Sequence, residues 1–230
     1  MERKEIKASF IVRAYNSEAT IARTMRSALS QDFPHAFEIV VIDDGSTDNT
    51  ATVVESFADA RIRLIRQENK GITEAANVGL REAQGDFVVL LDADDEAKPN
   101  YLSDAARALG DPAIEYAYGD YLEEYRDMTT SVTPGDPFKA PAGAFAWRRN
   151  KMLSEGGFSG DTLFPEYDIL LRTWGAWSGI HIASPLFVYH RSTTSITGSS
   201  SRVHEAIARL GKRYPSRARE IALIRSYELV

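Results

Sequence analysis

Residues 85–101, GDFVVLLDADDEAKPNY, join a short apolar run directly to a cluster of acids. The run at 87–91 is wholly apolar, which predicts a buried strand. Asp92, Asp94, Asp95 and Glu96 follow it at once. Like charges a few ångströms apart repel by roughly 1 kcal/mol per pair in water, and by more where solvent is scarce. We therefore expect a cation to compensate for these acids at the end of the strand.

Two interpretations of this acidic cluster differ in what they explain. In the first, Asp94, Asp95 and Glu96 form the acidic first turn of the next helix, which the helix dipole favours. That interpretation leaves Asp92 unexplained, because Asp92 precedes any predicted helix. In the second, an Asp-x-Asp pair after a parallel strand binds Mg²⁺ or Mn²⁺, hard cations that take oxygen ligands. We favour the second for the aspartates and expect Glu96 to serve the helix terminus.

Strands and helices alternate through the first half of the chain. Strands are predicted at 8–12, 37–43, 61–66 and 86–92, and helices at 17–31, 48–60, 73–84 and 101–110. Strands that are continuously apolar and alternate with helices predict an α/β fold with a mostly parallel sheet covered on both faces. Ligands of such sheets bind beyond the carboxyl ends of the strands. The residues that follow each strand are therefore the candidate site.

The second half of the chain is less regular. Residues 113–148 are rich in tyrosine and acids and then in proline and glycine, and no repeat or low-complexity linker is present. Further predicted elements are helices at about 149–155 and 165–177 and strands at 180–184 and 186–190. We predict one domain over residues 1–230. Its parts are a nucleotide-binding half at about 1–112, an acceptor half at about 113–200 and a helical tail at about 201–230.

Composition excludes several classes of protein. A net charge of −6 and a pI near 5.3 argue against a general nucleic-acid binder, which needs a basic surface. The absence of cysteine excludes disulfides, thiolate metal sites and a cysteine nucleophile. We recognise no signal peptide and no apolar segment of the ~20 residues that span a bilayer. The expectation is a cytoplasmic protein.

The tail at 201–230 is basic and amphipathic, and two interpretations are open. We favour helices that pack on the domain. The alternative is peripheral contact with an anionic membrane, at its inner face, where lipid-linked acceptors are found.

Three other positions carry candidate functional residues. Tyr15 follows the first strand, where its ring could stack on a planar ligand or simply lie at the rim of the core. Asp43 and Asp44 follow the second strand; Asp-Gly is a turn signal, yet one carboxylate could also accept hydrogen bonds from a ligand. Glu166 follows Pro165 at a predicted helix start. There its carboxylate could simply interact favourably with the helix dipole, or it could act as a general base.

Taken together, four stretches resemble the family 2 glycosyltransferases, which are inverting enzymes with the GT-A fold. The similarity extends over about residues 8–197. The stretches are VRAYNSEATIARTMRSALSQDF (12–33), EIVVIDDGSTDNT (38–50), ENKGITEAANVGLREAQGDFVVLLDADD (68–95) and GGFSGDTLFPEYDILLRTW (156–174).

The resemblance implies a nucleotide-diphosphate sugar donor, usually a UDP-sugar, a divalent cation (Mn²⁺ or Mg²⁺), and a glycan or lipid-linked saccharide acceptor. It places Tyr15 against the base, Asp44 in a hydrogen bond to that base, and Glu166 at the position of the catalytic base. The implied donor-binding residues are Tyr15, Asp43, Asp44, Asn77, Asp92, Ala93 and Asp94. Asp92, Asp94 and Asp95 are the implied metal ligands.

An acceptor wall is implied around the stretch PAGAFAWRRN (141–150). Trp147, Arg148 and His190 are its candidate residues. Trp147 could stack on a sugar ring, although burial in the core is the commoner fate of a tryptophan.

Three positions depart from the family pattern. Ala76 occupies the place of an arginine that helps to hold the donor phosphates. Ser192 occupies the place of a histidine that can reach the metal, and His190 lies two residues earlier. Arg13 replaces the proline of the common PAYN motif and could bring positive charge near the phosphates.

These departures keep a second class of function open, a non-catalytic nucleotide-sugar-binding relative. A sugar-1-phosphate nucleotidyltransferase is less well supported, because no glycine-rich basic loop follows the first strand. A dinucleotide oxidoreductase is excluded by the absence of a G-x-G-x-x-G motif.

Overall fold

The computed structural model describes residues 5–126, 128–159, 163–192 and 199–224. Its strands are β1 (Ile6–Ala14), β2 (Ala36–Asp43), β3 (Ile62–Arg66), β4 (Phe87–Asp92), β5 (Glu96–Ala97), β6 (Tyr116–Tyr125), β7 (Met128–Val132), β8 (Phe145–Arg148) and β9 (Gly179–His190). Its helices are α1 (Ile21–Leu29), α2 (Thr50–Glu55), α3 (Ile72–Glu82), α4 (Tyr101–Ala108), α5 (Arg149–Ser154), α6 (Pro165–Thr173), α7 (Ser200–Arg213) and α8 (Ala218–Ile221).

The first half forms the parallel part of a nine-stranded sheet, in the order β3-β2-β1-β4. Residues 8–12 of β1 and 87–91 of β4 are buried, as expected for strands covered on both faces. The predicted α/β class and the strand–helix alternation of residues 8–110 are confirmed. In register, Ala14 pairs with Asp43, and Arg13 pairs with Asp92. The carboxyl ends of three strands therefore meet at one edge of the sheet.

The second half extends this sheet with mostly antiparallel pairing. β8 pairs antiparallel with β4, and β6 pairs antiparallel with β8 and with β7. The sequence did not predict β6, β7 or β8. In the partly exposed hairpin of β6 and β7, acidic, tyrosine and other polar residues hide the apolar alternation of a strand. The strands predicted at 180–184 and 186–190 are one strand, β9, which lies parallel to β6.

The acidic cluster does not lie in a helix. α4 begins at Tyr101, and the two-residue strand β5 intervenes and pairs with β9. The interpretation of Asp94, Asp95 and Glu96 as a first helical turn is therefore wrong. Glu96 also has no role at that terminus, since it accepts from His190 at 2.8 Å and pairs with Arg23 at 3.3 Å.

The tail packs on the domain, the arrangement that we favoured from the sequence. The apolar side of α7 is buried through Val203, Ala206 and Leu210. The Tyr214 hydroxyl, just after α7, donates to the fully buried carboxylate of Asp168 on α6 at 2.8 Å. Burial, and then this hydrogen bond, raises the pKa of Tyr214 to about 12, so the hydroxyl remains a donor at neutral pH. Within the described ranges, no helix is long and apolar enough to cross a membrane.

Replacing Tyr214 with phenylalanine should destabilise the fold. The change removes a donor from a buried carboxylate, which typically costs about 1–3 kcal/mol. Urea unfolding followed by circular dichroism measures the difference. Tyr125→Phe, on the β6–β7 hairpin, is the matched control. Equal stabilities of the Tyr214→Phe variant and the wild type would show that the tail contact does not hold α6.

Candidate functional site

A cavity of about 750 Å³ opens at the carboxyl ends of β1 and β4. Its size lies within the range of small-molecule sites, which is about 300–1,000 Å³. Its wall includes side chains from β1, α1, the β4–β5 turn, α6 and β9. The predicted residues that line it are Tyr15, Asp44, Asp92, Ala93, Asp94, Asp95, Glu166 and His190. Residues 163 to 192 thus converge with the first half of the chain at one place.

Asp44 is held rigidly on the floor beside the β2 end. Its carboxylate is buried and accepts hydrogen bonds from Gln67 Nε2 at 2.6 Å, from the Lys70 N–H at 2.9 Å and from the Gly71 N–H at 2.8 Å. Gly45 permits this turn, since its φ is +80° and a Cβ there would lie 2.8 Å from the Asn69 nitrogen. A carboxylate has about four lone-pair sites, so Asp44 retains capacity for one ligand donor.

Asp43 lies beneath the cavity, not on its wall. It is fully buried, its Oδ1 accepts from the Ser46 N–H at 2.9 Å, and its Oδ2 lies 3.3 Å from Arg66 Nε. These contacts fix the turn that presents Asp44.

Tyr15 is half exposed at the cavity, with 51% of its surface accessible. The following residue, Asn16, has a φ of +48°, and its side chain accepts from the Thr47 N–H at 2.8 Å. Asn16 therefore ties the end of β1 to the loop after β2, and the Tyr15 ring stays available to solvent and ligand.

The three aspartates after β4 differ in their environments. Asp92 forms an ion pair with the guanidinium of Arg13. Burial, and then the charge of Asp92, raises the pKa of Asp94 to about 6. Asp95 is buried, its Oδ1 accepts from the His190 N–H at 2.9 Å, and burial with the charges of Asp94 and Asp92 raises its pKa well above the usual range.

The carboxylate oxygens of these residues suit a hard cation, but the described side chains do not form a complete set of metal ligands. In the part of the chain that the structure describes, no group of three or more His, Cys, Asp or Glu side chains is arranged to hold a metal. Mg²⁺ is commonly held by one or two carboxylates together with substrate phosphates, and it needs no complete set from the protein. Asp94 lines the cavity, and its pKa is raised first by burial and then by the charge of Asp92, a charge that a divalent cation would offset. Asp94, beside Asp92, therefore fits the predicted ion.

Glu166 is the second residue of α6 and is almost wholly buried at the cavity wall. Burial raises the pKa of its carboxyl to about 8, against the opposing effects of its own backbone N–H and of the Arg13 charge. A carboxyl with a pKa near the working pH is suited to take up and release a proton.

His190 and Arg23 also line the cavity. His190 Nε2 lies 2.8 Å from Glu96 Oε1, and Arg23 Nη2 donates to the Asp94 carbonyl at 2.7 Å. The sequence did not predict a role for Arg23, because this contact joins residues 71 apart and no local pattern signals it. Ser192 also lines the cavity.

Three of the candidate residues lie away from the cavity. Trp147 is fully buried and stacks on Phe145 with ring centroids 4.9 Å apart. The Arg148 guanidinium donates to the carbonyls of Leu109, Asp111 and Ile114. The Asn77 side-chain amide donates to the Phe158 carbonyl at 2.9 Å and accepts from the Phe158 N–H at 2.8 Å.

Two solved structures show the class of fold. The chain superposes on Staphylococcus aureus TarS 1-349 in complex with UDP-GlcNAc with a TM-score of 0.75 and 21% identity, covering 90% of this chain and 66% of that one. Mannosyltransferase PcManGT from Pyrobaculum calidifontis, in complex with GDP-Man and Mn²⁺, gives a TM-score of 0.77 at 20% identity, covering 96% and 72%. The fold is that of the GT-A glycosyltransferases.

The family follows from the sequence comparison. Residues 9–160 match the model of Glycosyl transferase family 2, and the chain belongs to that family. A curated relative is the Escherichia coli UDP-Glc:alpha-D-GlcNAc-diphosphoundecaprenol beta-1,3-glucosyltransferase WfaP, 33% identical over 130 residues, which are 56% of this chain and 51% of that protein. The S. aureus poly(ribitol-phosphate) beta-N-acetylglucosaminyltransferase TarS is 39% identical over 105 residues, 44% of this chain and 18% of TarS. The matches thus span about half or less of those relatives' lengths.

The protonated state of Glu166 should make stability depend on pH. Between about pH 4.5 and about pH 8, the unfolded chain has lost this proton while the folded chain retains it. The unfolded state then binds fewer protons, so this group's contribution to wild-type stability falls as pH rises through that window. Glutamine does not titrate. Glu166→Gln should therefore gain stability relative to wild type, by up to about 1.4 kcal/mol per pH unit.

Urea unfolding at pH 5, 6, 7, 8 and 9 measures this trend. Glu55→Gln, at an exposed position on α2, controls for the removal of a carboxylate. A constant difference between Glu166→Gln and wild type across this range would contradict burial of a neutral Glu166.

Proposed function

We propose that the protein is an inverting glycosyltransferase that moves a sugar from a nucleotide-diphosphate sugar to a hydroxyl of a glycan or lipid-linked acceptor. The observation that carries the proposal is the convergence, in one cavity, of the anchored Asp44, the Asp92–Asp94 pair and the buried Glu166. The TarS structure holds UDP-GlcNAc, and WfaP is described as a glucosyltransferase acting from UDP-Glc on a diphosphoundecaprenol-linked sugar. Both support a UDP-sugar donor, and WfaP supports a lipid-linked acceptor.

In this proposal the nucleotide binds between Tyr15 and Asp44. The exposed ring of Tyr15 stacks on the base, and the remaining capacity of the Asp44 carboxylate accepts an N–H of the base. Three protein donors already fix the orientation of Asp44, so little ordering is needed when the nucleotide binds.

Asp94, with Asp92 beside it, would hold a divalent cation together with the donor diphosphate. Mn²⁺ in the PcManGT complex supports this assignment. A cation bound there supplies stabilisation of the charge that grows on the diphosphate leaving group.

Glu166 is the proposed general base. It takes the proton of the acceptor hydroxyl as that oxygen attacks the anomeric carbon from the face opposite the leaving group, which inverts the configuration there. Because the pKa of Glu166 is raised to about 8, its carboxylate is a stronger base than an exposed glutamate.

One observation favours a second candidate, a nucleotide-sugar-binding protein without transfer activity. Ala76 is fully buried on α3, so this position places no cation in the cavity. Slow hydrolysis of a donor in the presence of Mn²⁺, tested across UDP-, GDP- and dTDP-sugars, discriminates the two, since binding alone produces no free sugar. Peripheral contact of the tail with a membrane stays a prediction, which liposome flotation of the intact chain tests.

Glu166→Gln should lower donor turnover by roughly 10²–10⁴-fold, because general base catalysis typically contributes that much. Nucleotide affinity should remain within about twofold of wild type, since Glu166 has no proposed contact with the base or the phosphates. Product release is followed by chromatography, and affinity by isothermal titration calorimetry. Equal losses of turnover and affinity would exclude the role of base.

Asp94→Asn should weaken nucleotide binding in Mn²⁺ while changing it little in EDTA. The amide has no charge to attract the cation, so only the metal-dependent part of the affinity is lost. Calorimetry with UDP, GDP and dTDP in both buffers measures it, and Asp86→Asn, at an exposed position outside the cavity, is the control. The same Mn²⁺ dependence in wild type and Asp94→Asn would exclude Asp94 as a ligand.

A further inference from the structure

Arg13 is an unusual residue for its position. It lies near the carboxyl end of β1, after the buried run 8–12, and is itself only 6% exposed. Its side chain lines the cavity. Burial of a guanidinium is costly unless its charge and its N–H groups find partners. The charge and the N–H groups of the Arg13 guanidinium should therefore have partners in the protein or in a ligand.

The protein satisfies the guanidinium of Arg13 only in part. One nitrogen, Nη2, forms the ion pair with Asp92 Oδ1. Arg13 Nε and Nη1 are buried and have no hydrogen-bond partner among the described residues. A guanidinium carries five N–H donors in a planar fork, which matches two oxygens of a phosphate or carboxylate. The unsatisfied part of the fork belongs to a side chain that lines the ligand cavity.

The other arginines on the cavity wall are committed to the protein. Arg23 donates to the Asp94 carbonyl at 2.7 Å and pairs with Glu96 at 3.3 Å. Arg191 pairs with Glu123 at 2.9 Å. Arg13 is thus the cavity arginine with the most unused hydrogen-bonding capacity.

The cavity needs such a cation if it is to accept a diphosphate. Five carboxyl groups line it, those of Asp44, Asp92, Asp94, Asp95 and Glu166. Arg13 pairs with Asp92 at the β4 end and lines the same cavity as Asp94, Asp95 and Glu166. Its guanidinium therefore brings a positive charge to the wall that carries these carboxyl groups.

We propose that Arg13 binds the diphosphate of the nucleotide-sugar donor with the guanidinium N–H groups that Asp92 does not use, while Nη2 remains paired with Asp92. The inference rests on the proposed donor site and assigns it a resident phosphate-binding cation. Because this contact is made by the protein, it operates with or without a divalent ion. Asp92 acts as a positioning residue that holds the fork towards the cavity.

The test compares nucleoside diphosphates with their nucleosides. UDP, GDP, dTDP, uridine, guanosine and thymidine are titrated into the wild type and Arg13→Gln, in Mn²⁺ and in EDTA, and binding is followed by NMR. Arg13→Gln should weaken binding of the preferred diphosphate about 10- to 100-fold in both buffers, since hydrogen bonds to charged groups contribute on that scale. Binding of the matching nucleoside should change by less than about threefold.

Two further variants separate a phosphate contact from a structural role. Arg13→Lys keeps the charge beside Asp92 but lacks the fork, so its diphosphate affinity should lie between those of wild type and Arg13→Gln. It also tests the proposal if Arg13→Gln does not fold. Arg63→Gln is the matched control, because Arg63 is a strand arginine paired with the buried carboxylate of Glu38 at 3.2 Å and lies outside the cavity. Its nucleotide binding should equal that of wild type.

The remaining outcomes separate the role of Arg13 from the proposed function of the protein. Equal losses for the diphosphate and the nucleoside would show that Arg13 only holds the site together, and an unchanged diphosphate affinity would exclude the contact. In either case the donor site itself stands. If the wild type binds none of the nucleotides, the proposed function fails and the role of Arg13 fails with it.

Discussion

The parallel register of β1 with β2 and β4 is the constraint on which the rest of the site depends. Pairing of Ala14 with Asp43 and of Arg13 with Asp92 brings the ends of three strands to one edge of the sheet. A shift of one residue would turn each side chain to the opposite face, so this register also decides whether Arg13 and Asp92 can meet. The polar residues at the strand ends define this register, because a slip of one residue would move Arg13 away from Asp92 and into the buried apolar layer.

This edge collects more negative charge than the protein neutralises. Asp92 has Arg13, whereas Asp94 and Asp95 retain raised pKa values because they are buried beside Asp92. Repulsion of this kind is tolerated in the folded protein because the core elsewhere is large and continuous. A bound positive charge would reduce this repulsion, which agrees with the cation that we propose for this edge.

The sequence predicted the parallel half of the fold well, because its strands are continuously apolar and its helices are amphipathic. The aspartate cluster was predictable for the same reason, since residues that directly follow a parallel strand share one edge. What local patterns could not predict are contacts between distant segments. The position of Arg23 beside Asp94 is one case, and the hairpin of β6 and β7, whose acids and tyrosines hide its alternation, is another. Asn77 shows the converse, since its amide suits ligand contacts while the packing turns it inward. Trp147 is buried, the outcome that the sequence analysis considered the commoner one.

The tail is connected to the site through helix α6. Asp168 lies two residues after Glu166 on α6, and its fully buried carboxylate is met by Tyr214 at 2.8 Å and by Arg213 at 3.4 Å. A buried carboxylate without such partners would favour local opening of α6, because its desolvation would be uncompensated. Glu166 is held near the cavity only while α6 remains docked. The contact from residues 213–214 therefore stabilises the position of the proposed base, although its side chains lie outside the cavity wall. The contacts of Arg213 and Tyr214 with Asp168 thus help to keep Glu166 buried, and this burial raises the pKa of Glu166.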